Sequence, residues 1–209
     1  MIASQSNLEL TMKTITLVAA ALLLSSCTQN PITKAAAKPI SVDAKTLADT
    51  RTVALQLRDQ LGAKLHTEMA KNSPASAVGM CNISAPEIAA AVSKESGWQV
   101  GRVGTRIRNA SNQPNNWQQA ALDNFADKAK KGEKFDAMET YSVATENGKP
   151  VLYYAKAIGV QQPCLACHGK PENIPVDVKA ILQEKYPNDQ ATGYVLGELR
   201  GAIVITRPL

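Results

Sequence analysis

Residues 164–168 read Cys-Leu-Ala-Cys-His. C-x-x-C-H is the attachment signature of c-type haem. Two thiols three positions apart can each add to one vinyl group of a single haem, and the histidine beside the second thiol can then ligate the iron. Gly169 fits a tight turn leading away from the ring. The same residues admit other readings. A thioredoxin-like pair would want its first cysteine at a helix N-terminus inside a βαβ unit, and no such unit surrounds Cys164. A structural zinc site needs four ligands, and no second C-x-x-C or H-x-x-x-H pair exists. A plain disulfide is a further alternative. Covalent haem uses all three residues: Cys164 and Cys167 as attachment points, His168 as axial ligand.

The other axial ligand is less determined. His66 is the other of two histidines. It falls on the polar side of a helical stripe, among Asp59 and Gly62, where a surface histidine is expected. Met80 and Met138 are candidates, whereas Met69 belongs to the apolar stripe. Cys81 is left over once Cys164 and Cys167 hold haem, and it reads either as a ligand or as a buried small apolar side chain. Arg106 and Arg108 bracket Ile107 on a predicted strand. They are candidates to neutralise the haem propionates, since guanidinium binds carboxylate in a bidentate fork, or they are ordinary surface charges. Asn112, Pro114 and Trp117 shape the turn into a helix. Tyr153 and Tyr154 point to opposite faces of a strand, so at most one should face the haem.

The N-terminus carries its own signal. Met12-Lys13 precedes ITLVAAALLL, ten uncharged residues at 15–24, and then Ser25-Ser26-Cys27. A positive charge, a short apolar run and small residues describe an export signal over residues 1–26, with Met12 a candidate start. Ten residues reach about 15 Å as a helix, half of a roughly 30 Å hydrocarbon core, too short to span. The string LSSC resembles the lipobox of bacterial lipoproteins. That resemblance implies that Cys27 is acylated and anchors the mature chain to the periplasmic side of a bacterial membrane. Thr28 rather than aspartate in the next position resembles an outer-membrane-directed lipoprotein. Residues 27–41 then form a lipid-anchored tether, polar and holding two prolines. The folded c-type haem domain is expected over residues 42–209.

Composition agrees with one exported globular domain. The 209 residues are 44% hydrophobic and 20% charged. Aromatic content of 4% argues against an aromatic-lined nucleic-acid or carbohydrate binder. The net charge of +5 is spread without a dense basic run, so nucleic acid is not expected as a partner. Four cysteines are too few for a disulfide scaffold.

Several elements can be placed by pattern. Leu47, Ala54, Leu57, Leu61, Leu65 and Met69 form a helical stripe over 42–71. A second helix is expected from Ser84-Ala-Pro-Glu87, a capping box, with Gly97 at its end. Residues 98–109 read as a strand kinked at Gly101 and Gly104. A third helix covers 117–131. Asn147-Gly148 between two β-prone runs signals a hairpin. Residues 176–186 suit a short helix and 197–207 a final strand. The predicted class is α+β: an antiparallel sheet with flanking helices on one side.

These residues also carry a family resemblance. VGMCNISAPEIAAAVSKESGWQVGRVGTRIRNASNQPNNW, followed by YYAKAIGVQQPCLACHG and YVLGELRGAIVI, resembles a family of single-haem c-type proteins formerly carried as a domain of unknown function. The match runs over roughly residues 45–209. It implies a PAS-like fold and haem with cysteine and histidine axial ligands. By that resemblance the axial cysteine is Cys81, the haem cysteines are Cys164 and Cys167, and the axial histidine is His168. Family members joined to signalling modules act as sensory domains. No output module is read in residues 42–209, so direct kinase or cyclase signalling is not expected.

A thiolate opposite His168 would donate electron density to iron, favour the ferric state and leave it six-coordinate and low-spin. With both positions filled, enzyme catalysis is not expected. The sequence shows no Ser/His/Asp set, glycine-rich phosphate loop or carboxylate pair with a plausible role. The expected function is a membrane-tethered monohaem cytochrome that transfers electrons to or from a redox protein. The alternative is a haem-based redox or gas sensor in which reduction releases Cys81. A peroxidase-like enzyme at a vacated Cys81 position is a weaker third.

Overall fold

The computed structural model describes residues 41–209 apart from Asn72, and the side chains of Lys71 and Met80 are outside that description. The expected export signal, Cys27 and nearly all of the tether lie outside the described residues. Among the described residues no helix is long and apolar enough to cross a membrane.

Helix α1 (Ala44–Lys71) is the striped helix foreseen from the sequence. Helix α2 spans Pro74–Ser96, so it begins ten residues before the expected start at Ser84. Ser73 caps it by accepting a hydrogen bond from the Ser76 amide, and Pro74 occupies the first turn, where its missing N–H costs nothing. The added turns hold because Ala75 and Val78 pack against Ile174, Val178 and Leu182. Pro86 therefore lies inside the helix and marks no boundary. Gly97 does end it, in the left-handed conformation at φ 74°. Ser93 then ties this end to the sheet, its Oγ accepting from the Val100 amide at 3.0 Å.

Strand β1 (Gln99–Gly104) follows and is shorter than the expected 98–109. Helix α3 (Asn116–Lys130) starts on a capping box between Asn115 and Gln118. Strands β2 (Glu139–Glu146) and β3 (Lys149–Gly159) form the hairpin. Asn147 at φ 50° and Gly148 at φ 77° supply the two positive values that a type I′ turn requires. The chain continues through a single helical turn, α4 (Leu165–His168), to helix α5 (Val176–Lys185) and strand β4 (Leu199–Pro208). Strand order is β1-β4-β3-β2, every neighbour antiparallel. The class is α+β, as expected.

The helices cover both faces of the sheet, not one. Val103, Ala155, Ala202 and Val204 pack on Leu122 and Phe125 of α3. Val100, Tyr154, Ile203 and Ile205 point the other way, onto Ala54 and Leu57 of α1 and Val92 of α2. Each strand residue alternates faces, so burial on both sides requires cover on both.

Arg51, Glu139 and Tyr154 pin α1 to the sheet. The Arg51 guanidinium donates to Glu139 at 2.5 and 2.8 Å, and the Tyr154 hydroxyl donates to the same carboxylate at 2.7 Å. The Arg51 hydrogen bonds hold Glu139 below the ordinary carboxylate value of 4.5, with burial opposing. A carboxylate depressed in the folded state adds stability above its unfolded pKa, and that contribution is lost as pH falls through the folded one. Thermal unfolding between neutral pH and pH values below about 4 should therefore show a shallower acid decline in Glu139→Gln than in the wild type. An equal decline in both would refute this role.

Candidate functional site

Where β3 ends, the chain turns through Pro163 into Cys164 and the single turn of α4. Gly169 must be glycine, because a Cβ there would lie 2.5 Å from the Leu165 carbonyl oxygen. This turn is strapped to residues 189–194. Tyr194 donates its amide to the His168 carbonyl at 2.9 Å, and Gly193 to the Gly169 carbonyl at 2.8 Å.

His168 is fixed more tightly still. Its Nδ1 lies 2.6 Å from the Ala191 carbonyl oxygen. A carbonyl can only accept, so Nδ1 carries the proton, and in the neutral ring the lone pair is left on Nε2. Burial, then the charges of Arg108 and Arg200, hold the imidazole well below its ordinary 6.5. The neutral tautomer with an occupied Nδ1 is the form in which histidine binds metals. The Tyr194 ring meets it edge-on, centroids 6.1 Å apart.

Asp189 and Arg108 support this arrangement from beneath. Asp189 accepts from the Ala191 amide at 2.8 Å and from Arg108 Nε at 3.0 Å. Arg108 Nη2 donates to the Cys167 carbonyl at 2.6 Å. The pair is nearly sealed, with side-chain exposures of 10% and 11%. The sequence pattern places Arg108 on a strand, as a candidate propionate contact or an ordinary surface charge. It lies instead beyond the end of β1 and clamps the Cys164–His168 turn. Arg106 is likewise in the loop, paired with Glu198 at 2.6 Å and donating to the Thr192 carbonyl at 3.0 Å.

Cys81, Cys164, Cys167 and His168 all line one cavity of about 260 Å³. Cys81 arrives on α2, where the extra N-terminal turns carry it, and the other three on the strapped turn. Leu65, Met69, Val78 and Ile158 give the cavity apolar walls. Gly104 and Gly201, paired across β1 and β4, form part of its lining. At Gly201 an added Cβ would collide with the Val103 carbonyl, so the strands close up only because it is glycine. Burial pushes the Cys81 thiol up while Arg102, Arg108 and Arg200 pull it back, and burial pushes Cys167 up to about 11. Among the described residues no group of three or more His, Cys, Asp or Glu is placed to hold a bare ion.

The other candidates fall elsewhere. His66 is exposed on α1, and Met138 is 1% exposed, packed with Phe125 on the α3 side of the sheet. Neither lines the cavity. The Met80 side chain lies outside the described residues. Tyr153 stacks on Trp117 with centroids 5.5 Å apart, and Tyr154 is bound to Glu139, so neither ring faces the cavity. Asn112 does line it. Sequence reading missed Arg102, Arg200 and Tyr186, which line the cavity, and Tyr194, which packs on His168.

A mixed fold with helices on both faces of an antiparallel sheet, and a cysteine- and histidine-lined cavity between helix and sheet, defines the class of protein. The chain belongs to the Tll0287-like family, whose pattern matches residues 24–208. Among solved structures it is similar to the cyanobacterial heme-protein Tll0287, with 27% sequence identity and a TM-score of 0.60, over 80% of this chain and 97% of that one. No curated protein matches the chain.

Proposed function

We propose that the chain binds one haem c in this cavity, attached through Cys164 and Cys167 with His168 and Cys81 as axial ligands, and acts as a membrane-tethered extracytoplasmic cytochrome. One observation carries the reading: Cys81, far from the C-x-x-C-H turn in sequence, lines the same cavity as that turn. The similar solved structure is that of a heme-protein. The residues fit the group. Two thiols sit one helical turn apart, a neutral imidazole keeps Nε2 unprotonated, and the walls are apolar.

Bound there, haem supplies a one-electron ferric/ferrous couple, its potential lowered by thiolate donation. The chain's own residues fix that couple in place. Ala191 orients His168, Arg108 holds the Cys167 carbonyl, and Leu65, Met69 and Val78 exclude water. With one donor from the turn and one from α2, His168 and Cys81 would both hold the group from within the chain, which suits electron transfer and would leave no position for a substrate. Cys27 serves as the lipid anchor, on the far side of the membrane where c-type haem is attached.

The test is carbon monoxide. Reduced protein that keeps both ligands refuses the gas and exchanges electrons rapidly with small reductants and oxidants. A stable carbon monoxide complex in the wild type contradicts electron transfer and favours the sensor reading.

A further inference from the structure

We propose that Arg102 and Arg200, not Arg106 and Arg108, anchor the two carboxylates of the cavity's ligand, the haem propionates. The inference rests on the haem reading and adds to it the residues that hold the polar edge of the ring. Four arginines line the cavity, and they divide by partner. Arg106 has Glu198 at 2.6 Å and Arg108 has Asp189 at 2.9 Å. Both are neutralised before any ligand enters. Arg102 and Arg200 form no ion pair with any described carboxylate. Arg200 touches neutral groups, donating to the Arg106 carbonyl at 3.3 Å and lying 5.2 Å from the Tyr194 ring centroid.

An unpaired guanidinium in an apolar cavity is costly, and a carboxylate in hydrogen-bonded contact removes that cost. Two uncompensated positive charges match the two negative charges of the propionates. The guanidinium fork can hold each in a bidentate pair.

The backbone is shaped to present these two side chains. At Gly104 an added Cβ would lie 2.9 Å from the Arg106 carbonyl oxygen and 3.0 Å from Arg200 Nη1, so glycine lets the backbone and the Arg200 guanidinium close up there. Arg102 stands, with Asn109 and Asn112, in a wall shared between the cavity and a second groove of about 400 Å³ along β1. That groove carries Ser93, Gln113 and Gln118 in its lining. The cavity and the groove thus adjoin at Arg102, Asn109 and Asn112, and this polar side is where the carboxylate edge of an otherwise apolar ring belongs.

The test uses haem-loaded protein and two readouts: the propionate bending modes in resonance Raman, and the pH dependence of the reduction potential. In the wild type, ion-paired propionates stay ionised across the neutral range and the potential is flat there. Arg102→Gln and Arg200→Gln should each shift a propionate mode and introduce a pH-dependent slope. Arg102→Lys and Arg200→Lys keep the charge and lose the fork, so they should shift the mode while the potential stays flat. They also provide the reading if a glutamine variant fails to fold. Arg106→Gln should lower stability and leave the propionate modes in place. Wild-type modes and a flat profile in both glutamine variants, unmoved modes in both lysine variants, or the same shift from Arg106→Gln, would overturn the proposal. Wild-type protein without haem would instead overturn the reading beneath it.

Discussion

Replacing Cys81 with serine is expected to leave the haem covalently attached and to change its spectrum in both oxidation states. Attachment depends on Cys164 and Cys167, which the substitution does not touch. Axial ligation changes because a serine hydroxyl is neutral and lacks the polarizable sulfur that donates to iron. The ferric low-spin signal of a thiolate–imidazole pair should give way to a high-spin or histidine-only signal. The reduction potential should rise as the electron-donating ligand is lost. Reduced variant should take up carbon monoxide, while the wild type refuses it. Absorption and electron-paramagnetic-resonance spectra of the two proteins check this. An unchanged ferric spectrum would make Cys81 a buried side chain that merely lines the cavity.

The second large effect falls on the support beneath His168. Asp189 accepts from Arg108 and from the Ala191 amide, and Ala191 in turn accepts from His168. Removing one partner of a buried ion pair strands the other charge and costs about 3–5 kcal/mol. Asp189→Ala should therefore lower the melting temperature by about 10 °C in a domain of this size. Arg108→Ala should do comparable damage, because the Cys167 carbonyl loses its donor as well. The two substitutions share one network, so the double variant should lose much less than the sum. Thermal unfolding of the three variants measures this. A loss below about 1 kcal/mol from each single substitution, the range of an exposed pair, would show that the clamp is not there.

The parts of the molecule legible in the sequence are those written in short local signals. Asn147-Gly148 fixes its hairpin because both positions need positive φ, and Gly97 ends α2 for the same reason. C-x-x-C-H is contiguous and needs no tertiary context. The misreadings occur where a local signal competes with packing. Ser84-Ala-Pro-Glu87 has the form of a helix start, yet Ser73-Pro74 is an equally good one eleven residues earlier, and contacts with α5 decide between them. Arg106-Ile107-Arg108 alternates as a strand does, but the chain leaves the sheet at Gly104 and spends both guanidinium groups on Glu198 and Asp189. The two-sided cover of the sheet was present in the run Ala202-Ile-Val-Ile205. Four consecutive apolar residues in a strand bury both faces, where alternation would bury one. What no pattern could supply is the role of Arg102 and Arg200. A cation is marked as a ligand-binding group by the partner it lacks, and that becomes visible only when the fold places the carboxylates elsewhere.

The central claim is tested most directly by the intact mass of the protein matured in a host equipped for cytochrome c biogenesis, measured after acid denaturation strips any non-covalent cofactor. The expected result is one haem added to the polypeptide, retained under denaturation and absent when Cys164 and Cys167 are both serine. A colourless product with the mass of the bare chain, apart from acyl groups, would contradict the account.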